Sequence, residues 1–213
     1  MTPNPTVARQ IARMLLEIKA IRLSPDQPFQ WSSGWNSPIY CDNRLALSYP
    51  DVRTFIKHAL SDLISTTYPD VEAIAGVATA GIPQGVLVAD EIGLPFIYVR
   101  PEPKKHGLNN QIEGQVEPAQ RVVILEDLVS TGGSSLRAAD ALREAGANVL
   151  GMVAIFTYGF ETAERNFSEK NIQLHCLSDY AALLDEAAEL DYIRPDQLAT
   201  LADWRQDPAG WGV

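Results

Sequence analysis

Val122-Val-Ile-Leu-Glu126-Asp127-Leu-Val-Ser130-Thr131-Gly132-Gly133-Ser134-Ser135 joins an apolar run to two adjacent carboxylates, then to a hydroxyl- and glycine-rich turn. The apolar part, residues 121–125, has the composition of a strand covered on both faces. A helical pattern over 134–145, stopped by Gly146, opens directly from the turn. Glycines let the backbone approach a bound group closely, and the free N–H groups of a helix N-terminus stabilise a phosphate. An ordinary strand-to-helix turn capped by Ser and Thr would leave the Glu126–Asp127 pair unexplained. Two carboxylates repel a phosphate unless they face something else, such as sugar hydroxyls or a metal ion.

Working outward, strand patterns at 71–77, 95–99, 149–156 and 172–176 alternate with a helical pattern at 83–92. This order predicts an α/β protein with a central, mostly parallel sheet flanked by helices, whose ligands bind at the carboxyl ends of the strands. N-terminal to it, Val7, Ile11, Met14, Leu15 and Ile18 form one apolar stripe at the helical period. Residues 28–50 mix aromatics, Gly, Pro and Ser and predict short strands and turns. Val52, Phe55, Ile56, Ala59, Leu60 and Leu63 then predict a second amphipathic helix.

The 213 residues are expected to form one domain, with residues 1–50 as an N-terminal helix and hood and 51–213 as a core with a helical C-terminal tail. Lys and Arg number 17 against 27 Asp and Glu, a net charge of −10 that disfavours electrostatic capture of nucleic acid or an anionic membrane. The excess is uneven: residues 1–60 carry a net +3 and 161–213 a net −7, so the acidic tail is expected to be solvated surface. Cys41 and Cys176 lie far apart without metal-ligand spacing, and no run of about 18 apolar residues occurs. A cytoplasmic protein is the expectation.

Two further segments carry chemistry. Arg100-Pro-Glu-Pro-Lys104-Lys105-His106-Gly107 continues into a polar, Gly-punctuated stretch and reads as a lid. Its three cations and a histidine in seven residues could neutralise a pyrophosphate. Phe29-Gln-Trp31-Ser-Ser-Gly34-Trp-Asn-Ser37-Pro38-Ile-Tyr40-Cys-Asp42-Asn-Arg44 reads from its residues alone as an aromatic-rich β-turn segment, more often core than site.

The motif at 122–135 matches neither the Walker A spacing nor Gly-x-Gly-x-x-Gly. It resembles the phosphoribosyl-pyrophosphate (PRPP) signature of type I phosphoribosyltransferases. With the lid and hood in this order and spacing, residues from about 5 to 205 resemble the orotate phosphoribosyltransferase family. The resemblance implies the type I phosphoribosyltransferase fold with a small N-terminal hood over the base. It also implies transfer of a phosphoribosyl group from PRPP to orotate, in pyrimidine biosynthesis, with Mg²⁺ held mainly through PRPP rather than by the protein. Carried over, Glu126 and Asp127 take the ribose hydroxyls, and the segment through Leu128, Val129, Ser130, Thr131, Gly132, Gly133 and Ser134 takes the 5′-phosphate. Thr79, Ala80 and Gly81 become the pyrophosphate loop, and Arg100, Lys104, Lys105 and His106 the lid on the leaving group. Lys104 and Asp127 are the implied catalytic residues, and Ser130 with backbone groups holds orotate. Ser32, Arg100-Pro101 and Thr157 stand where some members carry cations. The family also implies a homodimer whose lid is shared across subunits. A transferase for another base would keep the PRPP turn but lack this hood and lid, and a PRPP-sensing regulator would need a basic DNA-binding module.

Overall fold

A computed structural model describes residues 4–31, 34–102 and 111–212. Helix α1 (Pro5–Glu17) starts where Asn4 Oδ1 accepts the backbone N–H groups of Thr6 and Val7 at 3.0 and 3.3 Å, with Pro5 pre-set for the first turn. It buries Ala8, Ile11, Ala12, Leu15 and Leu16, the predicted stripe less its flanks. The hood follows as four short strands: β1 (Ile21–Leu23), β2 (Phe29–Gln30), β3 (Asn36–Ser37) and β4 (Ile39–Cys41), paired antiparallel as β1 with β4 and β2 with β3. A 3-10 turn over Asn43–Ser48 leads into α2 (Pro50–Thr67).

The core continues with β5 (Ala73–Val77), α3 (Gly81–Ile92), β6 (Phe96–Val99), β7 (Ile112–Glu113), β8 (Arg121–Val129), α4 (Gly133–Glu144), β9 (Asn148–Thr157), α5 (Glu161–Glu169), β10 (Leu174–Asp179), α6 (Tyr180–Glu189) and α7 (Pro195–Gln206). The sheet order is β10-β9-β8-β5-β6-β7, parallel except for β7 at one edge. The chain builds from β5 toward β6 and then returns to the other side of β5 for β8. The neighbouring carboxyl ends of β5 and β8 are therefore the switch point of the sheet, where an open α/β sheet leaves a crevice.

Alternate residues of the central strands enter separate cores. Ile74, Val123, Leu125, Val153 and Ile155 pack with α1, α2 and the C-terminal helices, and Ala73, Ala75, Val122, Ile124 and Met152 with α4 and α5. Burial on both faces is why the strand at 121–125 has no polar alternation. No helix among the described residues is long and apolar enough to cross a membrane.

The structure departs from the sequence reading in several places. Strand β8 does not stop at the carboxylates but continues to Val129, because Glu126, Leu128 and Val129 keep pairing in register with Ala154, Phe156 and Thr157 of β9. Helix α3 begins two residues earlier than its apolar pattern, at Gly81. The stretch 104–118 contributes β7, and the last strand is displaced to Leu174–Asp179. The acidic tail is only partly solvated: Glu186 of α6 is buried and accepts hydrogen bonds from Arg9 Nε and Arg13 Nε of α1, both at 2.8 Å.

Candidate active site

A cavity of about 290 Å³ opens at the β5/β8 switch point. Val77, Ala78, Thr79 and Ala80 line it from the end of β5, Glu126, Asp127 and Leu128 from β8, Ser134 from α4, and Cys41, Asp42 and Arg44 from the hood. Segments separated by some 80 residues in sequence thus meet in one crevice, and they are the segments singled out by their chemistry.

Helix α3 approaches β8 so closely that a Cβ on Gly81 would stand 2.5 Å from the Leu125 carbonyl oxygen. This close approach brings Thr79 and Ala80 beside the carboxylates. Neither α3 nor α4 has a side chain capping its N-terminus; the first N–H groups of α4 stay available, whereas at α3 the Ile82 N–H donates to the Thr79 carbonyl at 3.3 Å and Pro83 has none. At the head of α4, Gly132 has φ +81°, a left-handed conformation suited to glycine, and a Cβ there would also meet the Phe167 ring at 2.5 Å. The turn is held from behind by Asn166 Nδ2, which donates to the Thr131 carbonyl at 2.9 Å, and by Thr157 Oγ1, which donates to the Val129 carbonyl at 3.1 Å.

Glu126 and Asp127 differ in environment although they adjoin. Glu126 is buried, accepting from Ser135 Oγ and from the Asp127 backbone N–H, both at 3.0 Å. Burial, with the Asp127 charge beside it, pushes its carboxyl up to about 9. Burial raises Asp127 too, against a hydrogen bond with Glu126 and the Arg44 charge, which pull it down. The pair therefore holds a proton at neutral pH and presents about one negative charge instead of two. This resolves the difficulty of two carboxylates beside a phosphate.

Other expected site residues lie elsewhere. Ser130 is half-buried in the turn, and Gly133 opens α4. Thr131 opens onto a neighbouring groove of about 790 Å³ shared with Trp35, Phe160 and Arg205. Arg100 closes the foot of the lid segment: its N–H donates to the Gln111 carbonyl, and Gln111 Nε2 donates back to the Arg100 carbonyl, both at 2.9 Å. Its guanidinium pairs with Glu113 at 3.5 Å. Lys104, Lys105 and His106 lie outside the described residues.

Sequence reasoning missed four contributors. Asn43, buried under the hood, donates from Nδ2 to the Asp127 carbonyl at 2.7 Å and ties hood to strand. Ser135 holds Glu126 as just described. Asp42 and Arg44 form an ion pair on the cavity wall at 2.6 Å. The signal available for Asn43 and Arg44 was the polarity of Asp42-Asn43-Arg44 directly after an aromatic-rich stretch. The hood aromatics are mostly packing, as their composition suggested. Trp31 stands within 5.2–6.4 Å, ring centroid to ring centroid, of Trp35, Tyr158 and Trp204, and Trp204 Nε1 of α7 donates to the Asn36 carbonyl at 3.3 Å.

The phosphoribosyl transferase domain family matches residues 48–182. The chain is 57% identical over 203 residues to an orotate phosphoribosyltransferase of Cytophaga hutchinsonii, covering 95% of this chain and 97% of that one. It is 53% identical to one of Porphyromonas gingivalis, covering 98% and 99%. Among solved structures, the orotate phosphoribosyltransferase of Aeropyrum pernix superposes with a TM-score of 0.75 at 27% identity over 86% of this chain and 99% of that one. The UMP synthase of Leishmania donovani superposes with 0.78 at 25% identity over 93% of this chain, which spans only 42% of that longer protein. A switch-point cavity joining an acidic pair, the heads of two helices and a hood, together with 53–57% identity to these bacterial relatives over nearly the whole chain, establishes that the chain belongs to the orotate phosphoribosyltransferase family.

Proposed function

We propose that the cavity at the β5/β8 switch point is where this orotate phosphoribosyltransferase moves the 5-phosphoribosyl group of PRPP onto orotate, releasing orotidine 5′-monophosphate and pyrophosphate. The observation that carries this assignment is the meeting of the Glu126–Asp127 pair, the Thr79–Ala80 loop and the head of α4 in one crevice under the hood.

The roles follow from the chemistry of each group. Asp127 and Glu126 receive the ribose hydroxyls, with Glu126 able to donate because it keeps its proton. The N–H groups at the start of α4, with Ser130, Thr131, Gly132 and Ser134, receive the 5′-phosphate. The loop Thr79-Ala80-Gly81 faces the pyrophosphate. The difficult feature of the reaction is positive charge growing at the ribose C1 as pyrophosphate departs. The anionic Asp127 beside the ribose favours that charge, and Lys104, with Lys105, His106 and Arg100, neutralises the leaving group. Orotate's negative charge lies on its carboxylate, so the proton of the attacking ring nitrogen leaves as the bond to C1 forms, and Asp127 beside the ribose is the group placed to take it.

Among the described residues no group of three or more His, Cys, Asp or Glu could hold a metal ion. The oxygen donors of the cavity, Asp127 foremost, fit Mg²⁺ carried on PRPP's own oxygens. When bound there, the ion supplies charge neutralisation at the pyrophosphate.

The chain works as one domain, residues 1–50 on 51–213, in support of which Trp204 of α7 packs against Trp31 of the hood. A two-fold dimer sharing its lid accords with Leu45, Tyr49 and Val86, large apolar side chains left exposed on elements that meet α2. The two free cysteines suit a reducing cytoplasm.

The test is consumption of orotate with PRPP and Mg²⁺, followed as loss of the base's ultraviolet absorbance. Turnover of uracil, hypoxanthine or adenine in its place would overturn the assignment. Mixing inactive Lys104→Ala and Asp127→Asn proteins should restore partial activity through heterodimers. No recovery after demonstrated subunit exchange would argue against a shared site.

A further inference from the structure

The described lining of the cavity includes three carboxylates, Asp42, Glu126 and Asp127, and a single cation, Arg44. Arg44 stands on the hood side of the crevice, in the first turn after β4. Asp42 fixes it bidentately, accepting from Arg44 Nε at 2.6 Å and from Nη2 at 2.9 Å, and also accepts the Arg44 backbone N–H at 3.2 Å. The plane of the guanidinium is thereby set, while Nη1 meets no acceptor among the described residues. The side chain remains 59% exposed, so its free edge is open to a ligand.

We infer that Arg44 is a specificity residue that binds the carboxylate of orotate. This rests on the orotate reading of the site given above. Orotate, whose negative charge is its carboxylate, enters a cavity whose other described charged side chains are acidic. Such a ligand needs a compensating cation, and a planar guanidinium matches a carboxylate better than a point charge does. The phosphate groups have the first N–H groups of α4 and the Thr79–Ala80 loop. The hood side of the crevice has Arg44. Asp42 thus holds the guanidinium by one edge so that the other faces the incoming base, and less side-chain freedom is lost on binding.

Orotidine 5′-monophosphate and uridine 5′-monophosphate differ only in this carboxylate, so their binding isolates the contact from any effect on ribose or phosphate. In Arg44→Gln, affinity for orotidine 5′-monophosphate is expected to fall about tenfold or more, the size expected of a charge-assisted contact. Uridine 5′-monophosphate should be held within about twofold of its original affinity on the same scale. KM for orotate should rise in step while KM for PRPP stays put, and Arg44→Lys should recover part of the loss. Equal weakening of both nucleotides, a loss on PRPP or pyrophosphate instead of orotate, or no change would each overturn the assignment. Failure of the unaltered protein to consume orotate would sink the reading of the whole site, and that assay is separate from the nucleotide comparison.

Discussion

Replacing Glu126 by Gln should flatten the pH dependence of stability in the ligand-free protein. The native carboxyl is pushed up to about 9 by burial and by Asp127, from an ordinary 4.5. Between pH 6 and 8 the folded protein therefore holds a proton at this position that the unfolded chain has released. Stability from a raised acid is fully present below the unfolded value and is lost as pH rises toward the folded one. With one proton released per unfolding event, the loss is at most about 1.4 kcal/mol per pH unit, or roughly 3 kcal/mol between pH 6 and 8. Gln keeps the shape but cannot titrate: its one oxygen can accept the Asp127 N–H, while its amide nitrogen donates to the Ser135 hydroxyl, which rotates to accept. The variant's advantage over the parent should be about 3 kcal/mol greater at pH 8 than at pH 6. Urea unfolding at both pH values, at one fixed protein concentration and without PRPP, reads the difference, and subtracting the two proteins cancels the histidines. Parallel pH dependence in parent and variant would refute the protonated Glu126 and, with it, the single-charge account of the acidic pair.

Other expectations follow from particular contacts. Gly81→Ala places a Cβ 2.5 Å from a backbone oxygen that cannot swing away, so a loss of about 1–3 kcal/mol is expected, with a raised KM for PRPP as the loop shifts; an unchanged melting temperature would contradict the close approach. Asn43→Ala leaves the Asp127 carbonyl without its donor at 2.7 Å and should cost about 1–3 kcal/mol in urea unfolding. Trp204→Ala removes a fully buried ring that supports the hood and should cost about 3–5 kcal/mol, with KM for orotate rising more than KM for PRPP; equal changes would separate the hood from base binding.

The sheet was legible because its strands are buried on both faces and their apolar runs cannot be confused with amphipathic helix. The acidic pair and the turn after it were legible for a different reason: few side-chain sets combine carboxylates, hydroxyls and consecutive glycines at a strand end. The continuation of β8 through Glu126 was hidden because a carboxylate in a strand looks like its end. It stays in the strand because Ser135, nine residues on, turns back to donate to it. Helix α5 escaped notice since Glu161–Glu169 buries only Ala163 and Phe167, too few positions for a visible stripe. Asn43 and Arg44 were marked only by their polarity after the aromatic stretch, because the Asp127 carbonyl that Asn43 holds and the cavity that Arg44 lines are brought to them by the fold.

The charge distribution shows how far a one-dimensional count can mislead. A net of −10 looks adverse for a protein with two anionic substrates, and moving the excess to residues beyond 160 only displaces the question. In the folded chain part of that acid faces the basic N-terminal helix. Burial alone would raise Glu186, yet hydrogen bonds and charge from Arg13 and Arg9 hold it below the usual carboxylate range, and Glu189 pairs with the same two arginines. Two arginines of the N-terminal helix and two glutamates of the tail thus neutralise each other across the α1–α6 contact, on helices that supply no residue to the cavity. The site solves its own electrostatics separately, by keeping one proton on the Glu126–Asp127 pair and by offering helix N-termini, whose positive potential appears in no count of Lys and Arg.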